Sequence, residues 1–393
     1  MLDVKLYLRR FSIVGSVHLF SAAVAFFSVA IFTRLSSVES FGNYYLVISI
    51  TNIVVFPIMQ SIINKTVASE NTKSDISLSF LFILLIVVYY LTNLDDIKSN
   101  NEDIAVFSLF FIALCIFCSG YAEGHARKNL NFELISISRG FGLAINILCI
   151  ISALFFQKID LIFLIYFRAL EYLGLSVFYF FIIKRKKLSK SPERKANKDI
   201  SFTYLISLML LYSLVNLDKI ILSYIGVSDL NLGLYSLYFF SAFIITGKIY
   251  DFLNAIFFAD IVSGKFILKY YSQFFRYMSY SVVLLFVCSF VLSYTILIFI
   301  GESAVSMQLV LIMALCASLC FTSQGLWLYL YGIDKSYRNL YLISLIFAFS
   351  VMLYSLNKLS NYENILYWSI SPLLANILML FFGILASRRL KLI

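Results

Sequence analysis

The stretch ISLSFLFILLIVVYYLTNL at residues 76–94 contains no charged residue, and a second apolar stretch, IAVFSLFFIALCIFCSG, follows at residues 104–120. A helix of about 20 apolar residues crosses the roughly 30 Å hydrocarbon core of a bilayer with its backbone hydrogen bonds satisfied internally. Strands of membrane β-barrels are shorter and alternate apolar with polar residues, which neither stretch does. The sequence therefore predicts an all-α membrane protein.

The composition of the whole chain agrees with this prediction. Hydrophobic residues make up 61% of the 393 residues and charged residues only 13%, whereas a soluble domain has roughly half and a quarter. The formal net charge of +10 comes from basic loops rather than from a soluble surface, which argues against a nucleic-acid partner. All six cysteines lie in apolar stretches, where a thiol packs as a small hydrophobic group, so we expect no metal and no cofactor.

Similar apolar stretches recur along the chain and predict twelve transmembrane helices, which would place both termini on one side of the membrane. The predicted spans are Phe11–Thr33, Tyr44–Val67, Ile76–Leu94, Ile104–Ala122, Leu134–Phe156, Leu161–Ile183, Ile200–Ile225, Gly233–Phe258, Tyr277–Ile300, Met307–Gly332, Leu340–Leu356 and Ile365–Ala386.

Lys and Arg residues are concentrated in alternate loops. Short basic loops resist translocation and remain cytoplasmic, so this asymmetry predicts the orientation. With the N-terminus inside, the outer loops contain only Arg34, Lys98, Lys158 and Lys358. The inner loops contain more, among them Lys65, Lys73, Arg127, Lys128, Arg139, Lys265, Lys269, Arg276, Lys335, Arg338, Arg388, Arg389 and Lys391. We therefore expect both termini in the cytoplasm.

The longest hydrophilic stretch, residues 184–199, is rich in Lys and Arg and lies near the middle of the chain. It predicts three parts: an N-terminal six-helix bundle over residues 1–183, a basic cytoplasmic connector over 184–199, and a C-terminal six-helix bundle over 200–393. The connector is interpreted either as a solvated loop that enforces topology or as a contact with anionic lipids of the inner leaflet.

An internal repeat supports the division into two halves. The segment FGNYYL at residues 41–46 resembles LGLYSL at residues 232–237, with Gly42 and Gly233 separated by 233 − 42 = 191 residues. An even number of spans in each half relates the two bundles by an axis along the membrane normal. We therefore expect two pseudo-symmetric bundles around a central cavity, an arrangement suited to alternating access.

Seven charged residues lie within or at the ends of the predicted spans, where burial of a charge costs at least ~2.5–3.5 kcal/mol. They are Arg34, Arg168, Glu171, Asp218, Lys219, Lys248 and Asp251. Arg168 and Glu171 are three residues apart, so they share one helical face and either neutralise each other or serve a ligand. The same alternatives hold for Lys248 and Asp251.

Asp218 and Lys219 are adjacent in the sequence. Neighbouring helical residues point about 100° apart, so we expect these two side chains not to bond each other well. Lys219 would then either extend to the outer interface or face an internal cavity. In a cavity, an unpaired Arg or Lys is a receptor for phosphate, Arg through a bidentate fork and Lys as a point charge.

Two segments carry a family resemblance. The run TRLSSVESFGNY at residues 33–44 resembles the R-L-x-x-x-E-x-F/Y-G-x-Y entry to the second helix of bacterial polysaccharide flippases. The run DKIIL at residues 218–222, followed by LGLY at residues 232–235, is similar to the pattern that opens their second half. These flippases form the Wzx-like O-antigen branch of the multidrug, oligosaccharidyl-lipid and polysaccharide exporter superfamily. The chain departs from the pattern at Ile225, the repeat position equivalent to Arg34, and at Lys219, where the motif is variable.

The resemblance implies a flippase, rather than an enzyme, that moves an undecaprenyl-pyrophosphate-linked oligosaccharide from the cytoplasmic to the periplasmic leaflet of the cell inner membrane. It implies membrane lipids as partners, together with the glycan polymerase and glycosyltransferases of the same lipopolysaccharide pathway. The substrate-binding candidates are Arg34, Arg168, Lys219 and Lys248, and the ion-coupling candidates are Glu171, Asp218 and Asp251.

Three other functions are weighed against the flippase. A drug/cation antiporter of the same superfamily would share the fold but would favour acidic groups in its cavity. A membrane glycan polymerase or acyltransferase would need catalytic His or Arg residues in its outer loops, which are short here and poor in both. A scaffolding membrane protein would not need charged residues deep in its spans.

Overall fold

The computed structural model describes residues 38–67, 72–92, 102–128, 132–156, 163–185, 202–262, 271–300, 305–333, 336–360, 362 and 364–389, with individual positions between 15 and 33. Within these ranges the chain forms eleven helices and no strand. The helices are α1 (Val38–Val67), α2 (Lys73–Thr92), α3 (Glu102–Lys128), α4 (Phe132–Phe156), α5 (Phe163–Arg185), α6 (Phe202–Tyr224), α7 (Asp229–Val262), α8 (Tyr271–Ile300), α9 (Met307–Ile333), α10 (Ser336–Leu359) and α11 (Ile365–Arg389).

Each of these helices contains one predicted span or most of it, and the described positions between 15 and 33 are helical as well. The all-α architecture expected from the apolar stretches is therefore confirmed. Seven of the described helices are long and apolar enough to cross a bilayer. On α8 the exposed side chains include Val283, Leu284, Val287 and Val291, a surface that lipid rather than water covers favourably. The chain is a multi-pass helical membrane protein.

Several helices extend beyond the apolar core that predicted them. The helix α3 continues past Ala122 to Lys128, and His125, Arg127 and Lys128 lie in its last turn. Cations there interact favourably with the negative end of the helix dipole. The N-terminus of α7 also lies beyond the predicted span, since this helix begins at Asp229 rather than at Gly233. The Asp229 carboxylate in the first turn stabilises the positive end of the helix dipole.

The described helices belong to two compact units. The first comprises Met1–Ser36 and Tyr44–Ile200, and the second comprises Ser37–Asn43 and Ser201–Ile393. In the first unit, α5 packs against α3 and α4; in the second, α9 packs against α7, α8 and α11. Most of the predicted connector lies outside the described residues, so the limits 1–183, 184–199 and 200–393 stay a prediction.

The first turn of α1 belongs to the second unit, where it packs against the start of α7. A Cβ atom on Gly42 would lie 3.1 Å from the backbone nitrogen of Gly233, and one on Gly233 would overlap the carbonyl group of Val38. The rings of Phe41 and Phe240 meet edge to face beside this contact, with centroids 5.9 Å apart. The two glycines of the internal repeat thus lie against each other, because only a residue without a side chain permits so close an approach of the backbones.

Candidate functional site

The first charged centre lies in the first unit around Arg168, in the second turn of α5. The Arg168 side chain is half-buried, and its electrostatic neighbours are Tyr44, Tyr45, Tyr172 and Glu171. Two of these tyrosines, at positions 44 and 45 of α1, are almost fully buried. Three tyrosines are therefore near enough to one guanidinium group to act on it electrostatically.

Glu171 does not pair with Arg168, although their spacing allows it. Instead Asn146 Nδ2 donates a hydrogen bond to Glu171 Oε2 at 2.9 Å. Among the described side chains, no ion pair includes Arg168. The sequence allowed Arg168 and Glu171 either to neutralise each other or to serve a ligand. The structure does not contain the ion pair that the first alternative requires.

Gly142 accounts for the hydrogen bond between Asn146 and the Glu171 carboxylate. A Cβ atom at position 142 would lie 2.6 Å from the Glu171 carbonyl oxygen and 3.2 Å from Glu171 Cγ. The absence of a side chain lets α4 approach α5 closely, and Asn146 lies one helical turn further along the same face of α4. The close crossing of these two helices therefore directs the carboxylate toward α4.

In this arrangement, the positive charge of the Arg168 guanidinium is not neutralised by an ion pair among the described residues. A guanidinium group carries five N–H donors in a planar fork that matches a phosphate or carboxylate. The neighbouring phenols carry hydroxyl groups that donate or accept hydrogen bonds, and of the three rings only that of Tyr172 is partly exposed. In chemical terms, a guanidinium group beside hydroxyl groups is suited to an anionic partner.

The second charged centre lies in the second unit, between α6 and α7. Lys219 Nζ donates hydrogen bonds to Asp218 Oδ1 at 2.8 Å and to the Val215 carbonyl oxygen at 2.7 Å. It also lies 3.1 Å from the centroid of the Phe239 ring. The Tyr235 hydroxyl donates to the other carboxylate oxygen, Asp218 Oδ2. The side chains of the charged pair have 0% exposure, so this centre is closed and balanced in charge.

The expectation that Asp218 and Lys219 would not bond each other is wrong. The 100° separation applies to the directions in which the side chains leave the helix, whereas the Lys219 ammonium lies at the end of four methylene groups. That chain is long enough to turn back to the Val215 carbonyl, one turn earlier, and to the neighbouring carboxylate. Complete burial also excludes the alternative in which Lys219 extends to the outer interface.

The remaining candidates stay predictions. Arg34 lies outside the described residues, and so does the side chain of Asp251. Lys248 is half-buried in α7 and takes part in at least one interaction. The structure thus groups four of the seven candidates in two separate centres.

Two buried ionic groups lie outside the sites predicted from the sequence, because their basic residues were interpreted as loop charges. Glu123 Oε1 accepts hydrogen bonds from Arg127 Nε at 2.9 Å and from Arg139 Nη2 at 2.8 Å. Lys65 Nζ lies 2.7 Å from Asp75 Oδ2 and joins α1 to α2. The i,i+4 spacing of Glu123 and Arg127 is a signal that could have indicated the first group.

Comparisons with known proteins identify the fold. No family model and no curated protein matches the chain. Among solved structures, a mutant of a MATE protein matches with a TM-score of 0.62 and 14% identity, over 98% of this chain and 97% of that one. A multidrug resistance MATE family transporter of the MOP superfamily, in an outward-facing conformation, matches with a TM-score of 0.57 and 12% identity, over 98% and 95%.

A third solved structure, a MOP superfamily transporter from Pyrococcus furiosus, has a TM-score of 0.58 and 12% identity, over 98% of this chain and 96% of that one. At such low identity, these matches establish architecture rather than cargo. The chain therefore shares the fold of these solved transporters.

Proposed function

We propose that the protein is a flippase that moves an undecaprenyl-pyrophosphate-linked oligosaccharide, such as an O-antigen repeat unit, across the cell inner membrane by alternating access. A diphosphate with attached sugars cannot cross about 30 Å of hydrocarbon unaided, because its polar groups would lose their hydrogen bonds. A transporter must therefore replace water with fixed donors and aromatic surfaces. The fold and the motif resemblance support a transporter, and the chemistry around Arg168 supports this class of cargo.

The main support for the proposal is that Arg168 forms no ion pair with the described residues. Its nearest carboxylate in the sequence is engaged by Asn146, and among the described residues no ion pair cancels its charge. A cation retained in a membrane helix without such a pair costs stability, which is justified when a ligand supplies the missing anion. A diphosphate is a suitable anion because the guanidinium fork binds phosphate oxygens in a bidentate manner.

One solved structure of this fold links the polarity of its pocket to its function. The structure from Pyrococcus furiosus is described as having a binding pocket of reverse polarity that suggests a different function. Proteins of one fold thus accommodate different surface charges. In the present chain, the half-buried Arg168 and the motif residue Arg34 favour an anionic cargo, and Lys248 is a further candidate contact.

A drug/cation antiporter is the second candidate function. Its support is the similarity to a multidrug resistance MATE family transporter and the half-buried Glu171 carboxylate, which would attract a cationic drug. The two functions make opposite demands on the same centre. A flippase needs the charge of Arg168, whereas an antiporter needs the charge of Glu171.

The test compares Arg168→Ala and Arg168→Lys in a strain whose surface-glycan export depends on this protein. We expect Arg168→Ala to lower export roughly 10- to 100-fold, the size of a lost hydrogen bond to a charged group. Arg168→Lys should retain part of the activity, because a point charge still attracts phosphate. Lys358→Ala is the matched control, since Lys358 is an exposed cation at the end of α10 in the other unit.

Membrane levels of all variants must equal those of the wild type. Wild-type export by Arg168→Ala would remove this residue from the substrate site. Loss of resistance to cationic drugs in Glu171→Gln, with glycan export unchanged in Arg168→Ala, would instead establish the antiporter.

A further inference from the structure

In the second unit, a carboxylate, a backbone carbonyl and an aromatic ring lie around the buried positive charge of Lys219. The Lys219 ammonium has three N–H groups. Two are directed to oxygen atoms, Asp218 Oδ1 at 2.8 Å and the Val215 carbonyl oxygen at 2.7 Å. On a further side lies the face of the Phe239 ring, 3.1 Å from Nζ to the centroid. A carboxylate, a backbone carbonyl and an aromatic face surround the charge.

These three groups are also what a monovalent metal cation takes from a protein. Backbone carbonyl and carboxylate oxygens replace the hydration shell of sodium or potassium ions. An aromatic face attracts any cation through its quadrupole. The Tyr235 hydroxyl holds the second oxygen, Asp218 Oδ2, so the carboxylate is oriented by α7 while its first oxygen faces the charge.

We propose that Val215, Asp218 and Phe239 form a monovalent-cation site whose occupant in this protein is the ammonium group of Lys219. The Asp218 carboxylate is then neutralised by the chain itself, and this site requires no exchangeable sodium or potassium ion. A free cation would have to displace a group that is covalently attached beside the site, so that the attached group rebinds in an intramolecular step. The proposal concerns the occupant of this site and is independent of what the protein transports.

The experiment measures the melting temperature of the purified full-length protein in sodium, potassium and choline chloride at constant ionic strength. Choline is too large for the site and serves as the inert cation. Lys219→Met empties the site while keeping an unbranched side chain of similar length. We expect the variant to melt about 2–4 °C higher in sodium or potassium than in choline, because a ligand that binds only the folded state stabilises it.

The double variant Asp218→Asn with Lys219→Met is the matched control, since it lacks the carboxylate that the cation would pair with. We expect it to melt at the same temperature in all three salts, as should the wild type. Equal melting of Lys219→Met in the three salts would overturn the proposal. So would sodium stabilisation of the wild type that disappears in the double variant.

The Lys219→Met variant is also prepared in each salt from the start, in case it folds poorly in choline. Recovery of folded protein in sodium or potassium but not in choline supports the cation site. Failure in all three salts, with normal folding of the double variant, would contradict it. None of these readouts involves transport, so the result is separate from the test of Arg168.

Discussion

Arg168 in the first unit is half-buried among tyrosines and belongs to no ion pair of the described residues, whereas Lys219 in the second unit is fully buried against a carboxylate. Both cations lie in apolar helices, with an acidic residue within three positions in the sequence. The two centres differ in the hydrogen-bond partner of the acidic side chain. Glu171 accepts a hydrogen bond from Asn146, whereas Asp218 binds the lysine itself. A membrane helix can thus hold a charge either with or without an ion pair to the acidic residue near it in the sequence.

Helix packing accounts for the two outcomes. In the first unit, Gly142 lets α4 approach α5 until Asn146 reaches Glu171. In the second unit, the Tyr235 hydroxyl occupies only one oxygen of Asp218, and the other oxygen remains for the ammonium group. Each centre can therefore be tested by changing its carboxylate to an amide, and we expect the two changes to destabilise the protein by unequal amounts.

The largest effect is expected for Asp218→Asn. The change removes the charge that balances the Lys219 ammonium at 0% exposure, and stranding one partner of a buried pair costs about 3–5 kcal/mol. The measurement is the free energy of unfolding in mixed micelles of increasing denaturing detergent. Adding Lys219→Met should restore most of the loss, since neutral replacement of a whole buried pair is often tolerated. Equal stability of Asp218→Asn and the wild type would show that the pair contributes little.

Sequence patterns predicted the fold more fully than the two centres. Uncharged stretches such as residues 76–94 locate spans because the bilayer requires long apolar helices. Side-chain pairing depends instead on distances of a few ångströms between helices. The spacing of Arg168 and Glu171 permits a pair that Asn146 prevents, and the spacing of Asp218 and Lys219 suggested no bond where one exists. The sequence alone does not indicate that Gly142 permits the close approach of α4 and α5 or that Tyr235 binds Asp218.

A moderate effect is expected for Gly142→Ala, which tests how packing shapes the first centre. The added methyl group would lie 2.6 Å from the Glu171 carbonyl oxygen, so the two helices must separate. Overpacking of this kind costs about 1–3 kcal/mol. The matched control is Gly140→Ala in the same helix, where a Cβ meets no atom within 4 Å. That control should be neutral or slightly stabilising, because alanine favours helix over glycine.

Thermal unfolding of both alanine variants provides the measurement. If Gly140→Ala destabilises the protein as much as Gly142→Ala, the close crossing of α4 and α5 is not the cause. If only Gly142→Ala does so, the close crossing of α4 and α5 contributes to stability as the structure indicates.

The smallest effect is expected for Glu171→Gln, the counterpart of Asp218→Asn in the first unit. The amide oxygen of glutamine can still accept the hydrogen bond from Asn146 Nδ2, so the contact between α4 and α5 is retained. Arg168 loses the attraction of a nearby charge but no ion pair. The cost should stay below about 1.5 kcal/mol, the range of a single weakened hydrogen bond.

The same detergent titration places Glu171→Gln and Asp218→Asn on one scale. A loss for Glu171→Gln as large as that for Asp218→Asn would mean that Arg168 depends on Glu171 for its charge balance. The Arg168 guanidinium would then be neutralised by the protein rather than available to phosphate. Both units would in that case contain a cation that is balanced by its neighbouring carboxylate. A small loss, together with retained glycan export, would leave Arg168 as the group in this centre whose charge the cargo requires.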